Sequence, residues 1–125
     1  MRILFQDRVA RWARECFQWK AVPQRDPQRV HRFIEEALEL AQACDIAEAE
    51  VLALVKYVYG RPTGEVRQEV GGVLMTLAIL CTSAGIDMVN AGEDELERCW
   101  MNIHAIRAKQ ASKKNYASPL PGGAD

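Results

Sequence analysis

Two segments of helical pattern carry carboxylates one turn apart, a spacing that suits the chemistry of a divalent metal ion. The first contains Glu36 and Glu39, and the second contains Glu65 and Glu69. Carboxylates spaced in this way can converge on one point, and hard cations such as Mg²⁺ bind oxygen ligands almost exclusively. Without a cation, neighbouring like charges on a helix repel each other by roughly 0.2–0.5 kcal/mol. The spacing therefore indicates a candidate metal site.

The simpler interpretation is that these acids form solvated helix faces. It suits Glu36 and Glu39, which lie opposite the apolar stripe of their helix, as most charged faces do. It suits Glu69 less well, because Glu69 adjoins an apolar surface, where an unpaired carboxylate would be costly. Gly72 and Thr76 follow on the same face and leave space for a ligand or another helix.

Length and composition predict one ordinary globular domain. The chain has 125 residues, 49% of them hydrophobic, and a net charge of −1, so nothing in the totals calls for nucleic acid as a partner. The longest apolar stretch, residues 70–81, is too short to span a membrane, and the N-terminus lacks a signal-peptide pattern. We expect a soluble, cytoplasmic protein with no membrane partner.

The four cysteines are expected to be free, buried thiols. None belongs to a Cys-x-x-Cys pair, so a zinc site is not predicted. They are Cys16, Cys44, Cys81 and Cys99.

Helical periodicity covers most of the chain, with no strand-like alternation. It predicts helices over about 5–19, 27–44, 45–59 and 63–84, and a fifth that begins near Asp87 or Asn90 and ends at about Gln110. The expected caps are Asp26 before Pro27, Asp45 before the third helix and Thr63 before the fourth, with Gly85 ending the fourth. Residues 113–125, rich in proline and glycine, are expected to form a flexible tail after a single domain over 1–112.

The fourth helix is apolar on almost every side, including Met75 and Ile79. Such a helix needs cover on every side, and so small a bundle can hardly provide it. We therefore expect a homo-oligomer, either a dimer or a tetramer.

The two acidic segments of the chain resemble those of a known family. Glu-Glu-x-x-Glu at 35–39, followed by Glu-Val-Gly-Gly-Val-Leu at 69–74, resembles the MazG-like nucleotide pyrophosphohydrolases of the all-α NTP pyrophosphatase superfamily. The likeness extends over about residues 26–110. It implies an all-α, four- to five-helix bundle of the MazG-like type, completed by oligomerisation.

The resemblance also implies an activity and its cofactor. Relatives of this type hydrolyse a (d)NTP to (d)NMP and pyrophosphate as a house-cleaning reaction, using Mg²⁺, with Mn²⁺ as a possible substitute. The matching metal ligands are Glu36, Glu39 and Glu69, and Glu35 is the neighbouring acid for a catalytic role beside Glu36.

Substrate contacts are also implied by the resemblance. Basic residues of the last helix would meet phosphates, which points to Arg107 and Lys109, with Lys113 and Lys114 as further candidates. Asn102 lies on their polar face and has an amide to donate. Trp19 is the candidate for stacking on the base, although an aromatic residue on such a helix is more often part of the core.

One departure from the family pattern affects catalysis. The fourth acid of the family falls here on Gly72, which has no side chain; Asp87, Glu65 or a water molecule would have to compensate. The alternative functions are thus a catalytically weakened MazG-like module that binds nucleotides or a protein, and a purely structural helical module.

Overall fold

The computed structural model describes residues 4–112, and these are 77% helical with no strand. This agrees with the predicted all-α class. The six helices of this range are α1 (Phe5–Phe17), α2 (Pro27–Ala43), α3 (Glu48–Tyr59), α4 (Val66–Ala84), α5 (Met88–Met101) and α6 (Ile103–Ala111). The predicted tail over 113–125, including Lys113 and Lys114, lies outside the described residues.

Two of the predicted helix ends are confirmed by local geometry. The Asp26 carboxylate accepts a 3.0 Å hydrogen bond from the Gln28 backbone N–H at the start of α2. Gly85 follows α4 with a φ of 69°, the left-handed conformation that glycine adopts without strain. The first helix ends two residues earlier than predicted, because Gln18 takes the same left-handed conformation with a φ of 58°.

Two predicted caps are wrong. Asp45 has a φ of 63° and lies in the loop before α3. Helix α3 begins at Glu48, and its N-cap residue, Ala47, makes no side-chain capping hydrogen bond. Helix α4 begins after Glu65, whose carboxylate accepts a 2.7 Å hydrogen bond from the Gln68 backbone N–H, and Thr63 precedes the cap. The Thr63 error arose because Thr63 and Glu65 are both polar residues near the helix start that can cap it, whereas at α3 the left-handed Asp45 leaves the cap position to Ala47.

The predicted fifth helix is divided into α5 and α6 at Asn102. This residue leaves helical geometry (φ −109°, ψ 21°), and its side-chain amide donates a 2.8 Å hydrogen bond to the Arg98 carbonyl. Asparagine favours such local bonds over a regular helix interior. The backbone N–H of Ile106 still reaches the Asn102 carbonyl at 2.9 Å, so the chain continues after the break without a loop.

The described chain forms two compact units. Unit 1 comprises residues 4–37 and 93–112, and unit 2 comprises residues 38–92. The single domain over 1–112 stays a prediction.

Unit 1 contains the buried side chains of the structure. Cys16 is fully buried, and Leu96 and Gln110 are nearly so. Helices α1 and α6 pack together, and a bidentate ion pair between Arg8 and Glu93, at 2.5 and 2.6 Å, joins α1 to α5.

Unit 2 is apolar and exposed. None of its residues is buried. Those with more than half of their surface exposed include Leu52, Leu54, Tyr57, Tyr59, Val66, Val70, Leu74, Met75, Ile79 and Val89. They lie mainly on α3 and α4, and the all-round apolar character predicted for α4 is present.

The cysteine prediction is only partly correct. Within residues 4–112 all four thiols are free, but Cys44 is exposed and Cys81 and Cys99 are half-buried. Cys44 is the last residue before a loop, where its apolar neighbours do not cover it.

No single helix among the described residues is long and apolar enough to cross a membrane, although α4 and α5 taken as a bent pair meet that test of length and composition.

Candidate functional site

The acidic motif of α2 lies on an exposed helix face held by one arginine. Arg32 forms an ion pair with Glu35 and lies 3.4 Å from Glu36, three and four residues ahead of it. The Glu36 side chain remains 65% exposed, and Glu39 is exposed one turn further along the helix. Two predicted ligands thus share one face, and the predicted catalytic pair Glu35 and Glu36 is drawn together by a single guanidinium.

A second arginine, absent from the sequence prediction, also acts on Glu36. Arg98 of α5 makes two hydrogen bonds to the Glu95 carboxylate, one of them 2.9 Å long. These bonds raise the pKa of Arg98, and the negative charge of Glu36 adds to that rise. The Arg98 guanidinium in turn lowers the pKa of Glu95. Arg32 and Arg98 therefore both contribute positive charge around Glu36.

We call this group of two arginines and three acids the α2–α5 charge cluster; it consists of Arg32, Glu35, Glu36, Glu95 and Arg98, all in unit 1. The spacing of Glu95 and Arg98 in the sequence is the i,i+3 separation of a helical ion pair. That signal predicts their pairing, but it does not reveal the proximity of Arg98 to another helix.

Glu69 lies in the first turn of α4 and folds back over the preceding loop. An added Cβ at Gly64 would collide with its Oε1 atom, so the missing side chain of Gly64 provides the space for this carboxylate. The two acids that the sequence offered as substitutes at Gly72 are used locally. Glu65 caps α4, and Asp87 accepts a 2.9 Å hydrogen bond from the Asn90 backbone N–H at the start of α5.

Gly72 itself faces open space, since an added Cβ would meet no atom within 4 Å. A longer side chain, such as the acid that the family carries, can therefore be accommodated there without displacing a neighbour.

The donor atoms of the predicted ligands suit Mg²⁺, because Glu36, Glu39 and Glu69 all present carboxylate oxygens. Within residues 4–112, however, no three His, Cys, Asp or Glu side chains are grouped so as to hold a metal ion. Glu36 belongs to unit 1, whereas Glu39 and Glu69 belong to unit 2. The chemistry of the donor set fits the ion, and the assembly of the three ligands stays a prediction.

Trp19 belongs to an aromatic cluster that includes a cation. Its ring centroid is 4.8 Å from that of Phe17, which is 5.7 Å from Trp12 in an edge-on contact. The Arg29 guanidinium lies 5.0 Å from the Trp19 ring centroid. Trp19 is half-buried, and part of its ring surface is occupied by these contacts.

Several buried polar atoms near this cluster lack hydrogen bonds among the described residues. They include Trp12 Nε1 and Arg29 Nη2. Arg29 Nε lies 3.5 Å from Asp26 Oδ2, close enough for an ion pair but without a hydrogen bond. Buried donors are normally paired, so these atoms mark a place where water or a ligand can bind.

The basic residues predicted for phosphate contact are placed differently from one another. Arg107 donates hydrogen bonds to the carbonyls of Cys16 (2.8 Å) and Glu15 (3.0 Å) and so caps the C-terminus of α1. The Asn102 amide is bonded to the Arg98 carbonyl, and Lys109 is exposed. Arg107 thus has a structural role that the sequence did not indicate, because its partners are backbone atoms ninety residues away.

Comparison with known proteins gives no assignment, because no family model, no curated protein and no solved structure matches this chain.

Proposed function

We propose that this protein is a Mg²⁺-dependent nucleoside triphosphate pyrophosphohydrolase that converts a (d)NTP to a (d)NMP and pyrophosphate. The observation that carries the proposal is the α2–α5 charge cluster: Arg32 pairs with Glu35 and Glu36, and the charge of Glu36 helps to raise the pKa of Arg98, which pairs with Glu95. Triphosphate hydrolysis requires both acids and cations, since carboxylates hold the metal ion and cations neutralise the phosphate oxygens.

The residues of the chain divide the work as follows. Glu36, Glu39 and Glu69 would hold the ion, and when bound it would supply positive charge to the triphosphate oxygens. Glu35 is the acid next to these ligands, and its carboxylate can accept the proton of the attacking water. Arg32, which lies 3.4 Å from Glu36, and Arg98, whose pKa the charge of Glu36 helps to raise, would steady the phosphates.

Arg98 replaces Arg107 in this scheme as the first candidate for phosphate binding. Arg107 is committed to the C-terminus of α1, whereas the Arg98 side chain is 61% exposed and held by one carboxylate. Trp19, which shares an aromatic cluster with Phe17 and Trp12, stays the candidate for contact with the base. We propose a cytoplasmic location, which is consistent with a nucleotide substrate.

The activity is tested with purified protein, Mg²⁺ and a panel of NTPs and dNTPs, with pyrophosphate release as the measurement. Glu36→Gln should reduce turnover by at least about 100-fold, since it removes a metal ligand without changing side-chain size. Glu48→Gln, on the exposed first turn of α3, is the matched control and should retain activity. Absence of pyrophosphate release with every nucleotide would refute the proposed reaction.

A catalytically weakened relative is the second candidate, and Gly72 is the observation in its favour. Because space is open at Gly72, Gly72→Asp can add a carboxylate without a clash. A large gain in turnover by this variant would show that the natural site is weakened. Unchanged turnover in an active enzyme would show instead that three acids suffice.

We also propose that the exposed apolar face of unit 2 is covered by a second copy of the chain. Monomeric proteins rarely expose contiguous apolar patches above a few hundred Å². Light scattering after gel filtration should give the mass of a dimer or tetramer. Met75→Glu should lower that mass, whereas Gln24→Glu, at an exposed turn position of unit 1, should not. A monomeric wild-type protein would contradict the proposal.

A further inference from the structure

A groove between α1 and α5 in unit 1 has the size and the unused charges of a ligand site separate from the α2–α5 charge cluster. Its volume is about 570 Å³, within the range of small-molecule sites. Arg8 and Arg11 line it from α1, and six residues line it from α5, namely Glu93, Asp94, Leu96, Glu97, Trp100 and Met101.

The two helices that form the groove run alongside each other in the same direction. Arg8 contacts Glu93 at one end, and the Cys16 thiol lies 3.9 Å from the Ile103 carbonyl oxygen at the other. Three residues beyond Arg8, Arg11 therefore reaches the level of Leu96 and the residue after it. The Arg8–Glu93 ion pair and the nearly buried Leu96 both line the groove.

Three charged side chains in this groove have no partner in the described part of the chain. Arg11 on α1, and Asp94 and Glu97 on α5, make neither an ion pair nor a hydrogen bond with any residue between 4 and 112. Arg11 and Glu97 face the same groove at about the same level, yet they do not close it with a bond of their own. Trp100 supplies an aromatic surface beside them and is 37% exposed.

These features specify the charge of a complementary ligand. The two free carboxylates call for a cationic group, and an ammonium ion beside Trp100 would gain a favourable contact with the ring face as well. The free guanidinium of Arg11 calls for a carboxylate, which arginine binds with two parallel hydrogen bonds. The apolar surface of Leu96 and Trp100 calls for an apolar body between the two charged ends.

We propose that this groove binds a small zwitterion, namely an amino acid or short peptide with an apolar side chain. The ammonium group lies against Asp94 and Glu97, the carboxylate lies against Arg11, and the apolar side chain packs on Trp100. A simple amine would leave the arginine unpaired, and a simple carboxylic acid would leave both carboxylates unpaired. Only a ligand with both charges can pair with all three of these exposed side chains.

The test is calorimetric titration of the full-length protein with L-phenylalanine and with two analogues that each lack one charge. These analogues are phenethylamine and 3-phenylpropionate. L-phenylalanine should bind with a Kd of about 0.1–1 mM, as expected for so small a ligand in an open groove. Each analogue should bind at least about tenfold more weakly, because one charged contact is lost.

Variants locate the binding in the groove. Arg11→Gln and Glu97→Gln should each weaken L-phenylalanine by about tenfold while leaving the Arg8–Glu93 ion pair intact. Arg14→Gln, one turn further along α1 and outside the groove, is the matched control. Circular dichroism confirms that each variant is folded.

Three results would overturn the proposal. They are no heat of binding with L-phenylalanine or its dipeptides, equal binding of phenethylamine and L-phenylalanine, and unchanged affinity in both groove variants. None of these measurements uses nucleotide turnover, so they do not depend on the outcome for the pyrophosphohydrolase.

Discussion

Replacing Arg107 should destabilise the fold in the absence of any nucleotide. Arg107 of α6 donates two hydrogen bonds to the last carbonyls of α1, at 2.8 Å to Cys16 and 3.0 Å to Glu15. A hydrogen bond from a charged group contributes about 1.5–3 kcal/mol when buried, and less when exposed. One of the two bonds is part-buried and the other is exposed, and the guanidinium also lies at the negative end of the α1 dipole. The expected loss for Arg107→Ala is therefore about 2–3 kcal/mol.

Urea denaturation followed by circular dichroism measures this loss directly. Arg107→Lys should recover about half of it, because lysine keeps the charge but not the two-pronged geometry. Lys109→Ala, on an exposed position of the same helix, should change stability by less than about 0.5 kcal/mol. If Arg107→Ala were as stable as Lys109→Ala, the two hydrogen bonds would contribute nothing, and the role of Arg107 as a cap would be refuted.

Three further predictions concern the thiols and the glycine pair of α4. Cys44 should react first with a thiol reagent such as DTNB, and Cys16 should react only on unfolding, because Cys44 is exposed and Cys16 is fully buried. Burial raises the pKa of the Cys16 thiol above its usual value of 9.0, so the unfolded chain loses this proton at a lower pH than the folded chain does. The free energy of unfolding should therefore fall as the pH rises above about 9. Urea midpoints at pH 7.5 and 10 test this, and Cys16→Ala should reduce the difference. Gly71→Ala and Gly72→Ala should each stabilise α4 by up to about 1 kcal/mol if the protein is a monomer. If a second copy packs against the two glycines, each substitution should instead weaken the oligomer.

The helical framework was predictable from the sequence because its signals are local. The apolar period located α1 to α4 to within about three residues, and Asp26 and Gly85 acted at the positions that their chemistry favours. The errors at Asp45 and Asn102 have a common origin, since each residue chose between two local conformations that differ little in energy.

The arrangement of the candidate site was less predictable because it depends on contacts between distant parts of the chain. The acids of α2 could be identified by spacing alone, and their pairing with Arg32 follows from the same helical geometry. The proximity of Arg98 to Glu36, and the engagement of Arg107 by α1, depend on how helices pack. No local pattern encodes those contacts, so basic residues could be assigned to a site only by analogy.

The Gly71–Gly72 pair links the question of assembly to that of catalysis. In this structure an added Cβ at either glycine meets no atom within 4 Å, so no contact within the chain requires a glycine there. Glycine also weakens a helix interior. The pair lies in α4, which is part of the exposed apolar face of unit 2. Two adjacent glycines are therefore unfavourable for a lone helix, and they become useful if another backbone approaches closely. Gly71→Ala measured by light scattering and by urea denaturation separates these cases. Higher stability with unchanged mass would mean that nothing packs against the pair, whereas a fall in mass would show that the absence of the acid at Gly72 serves the contact between two copies.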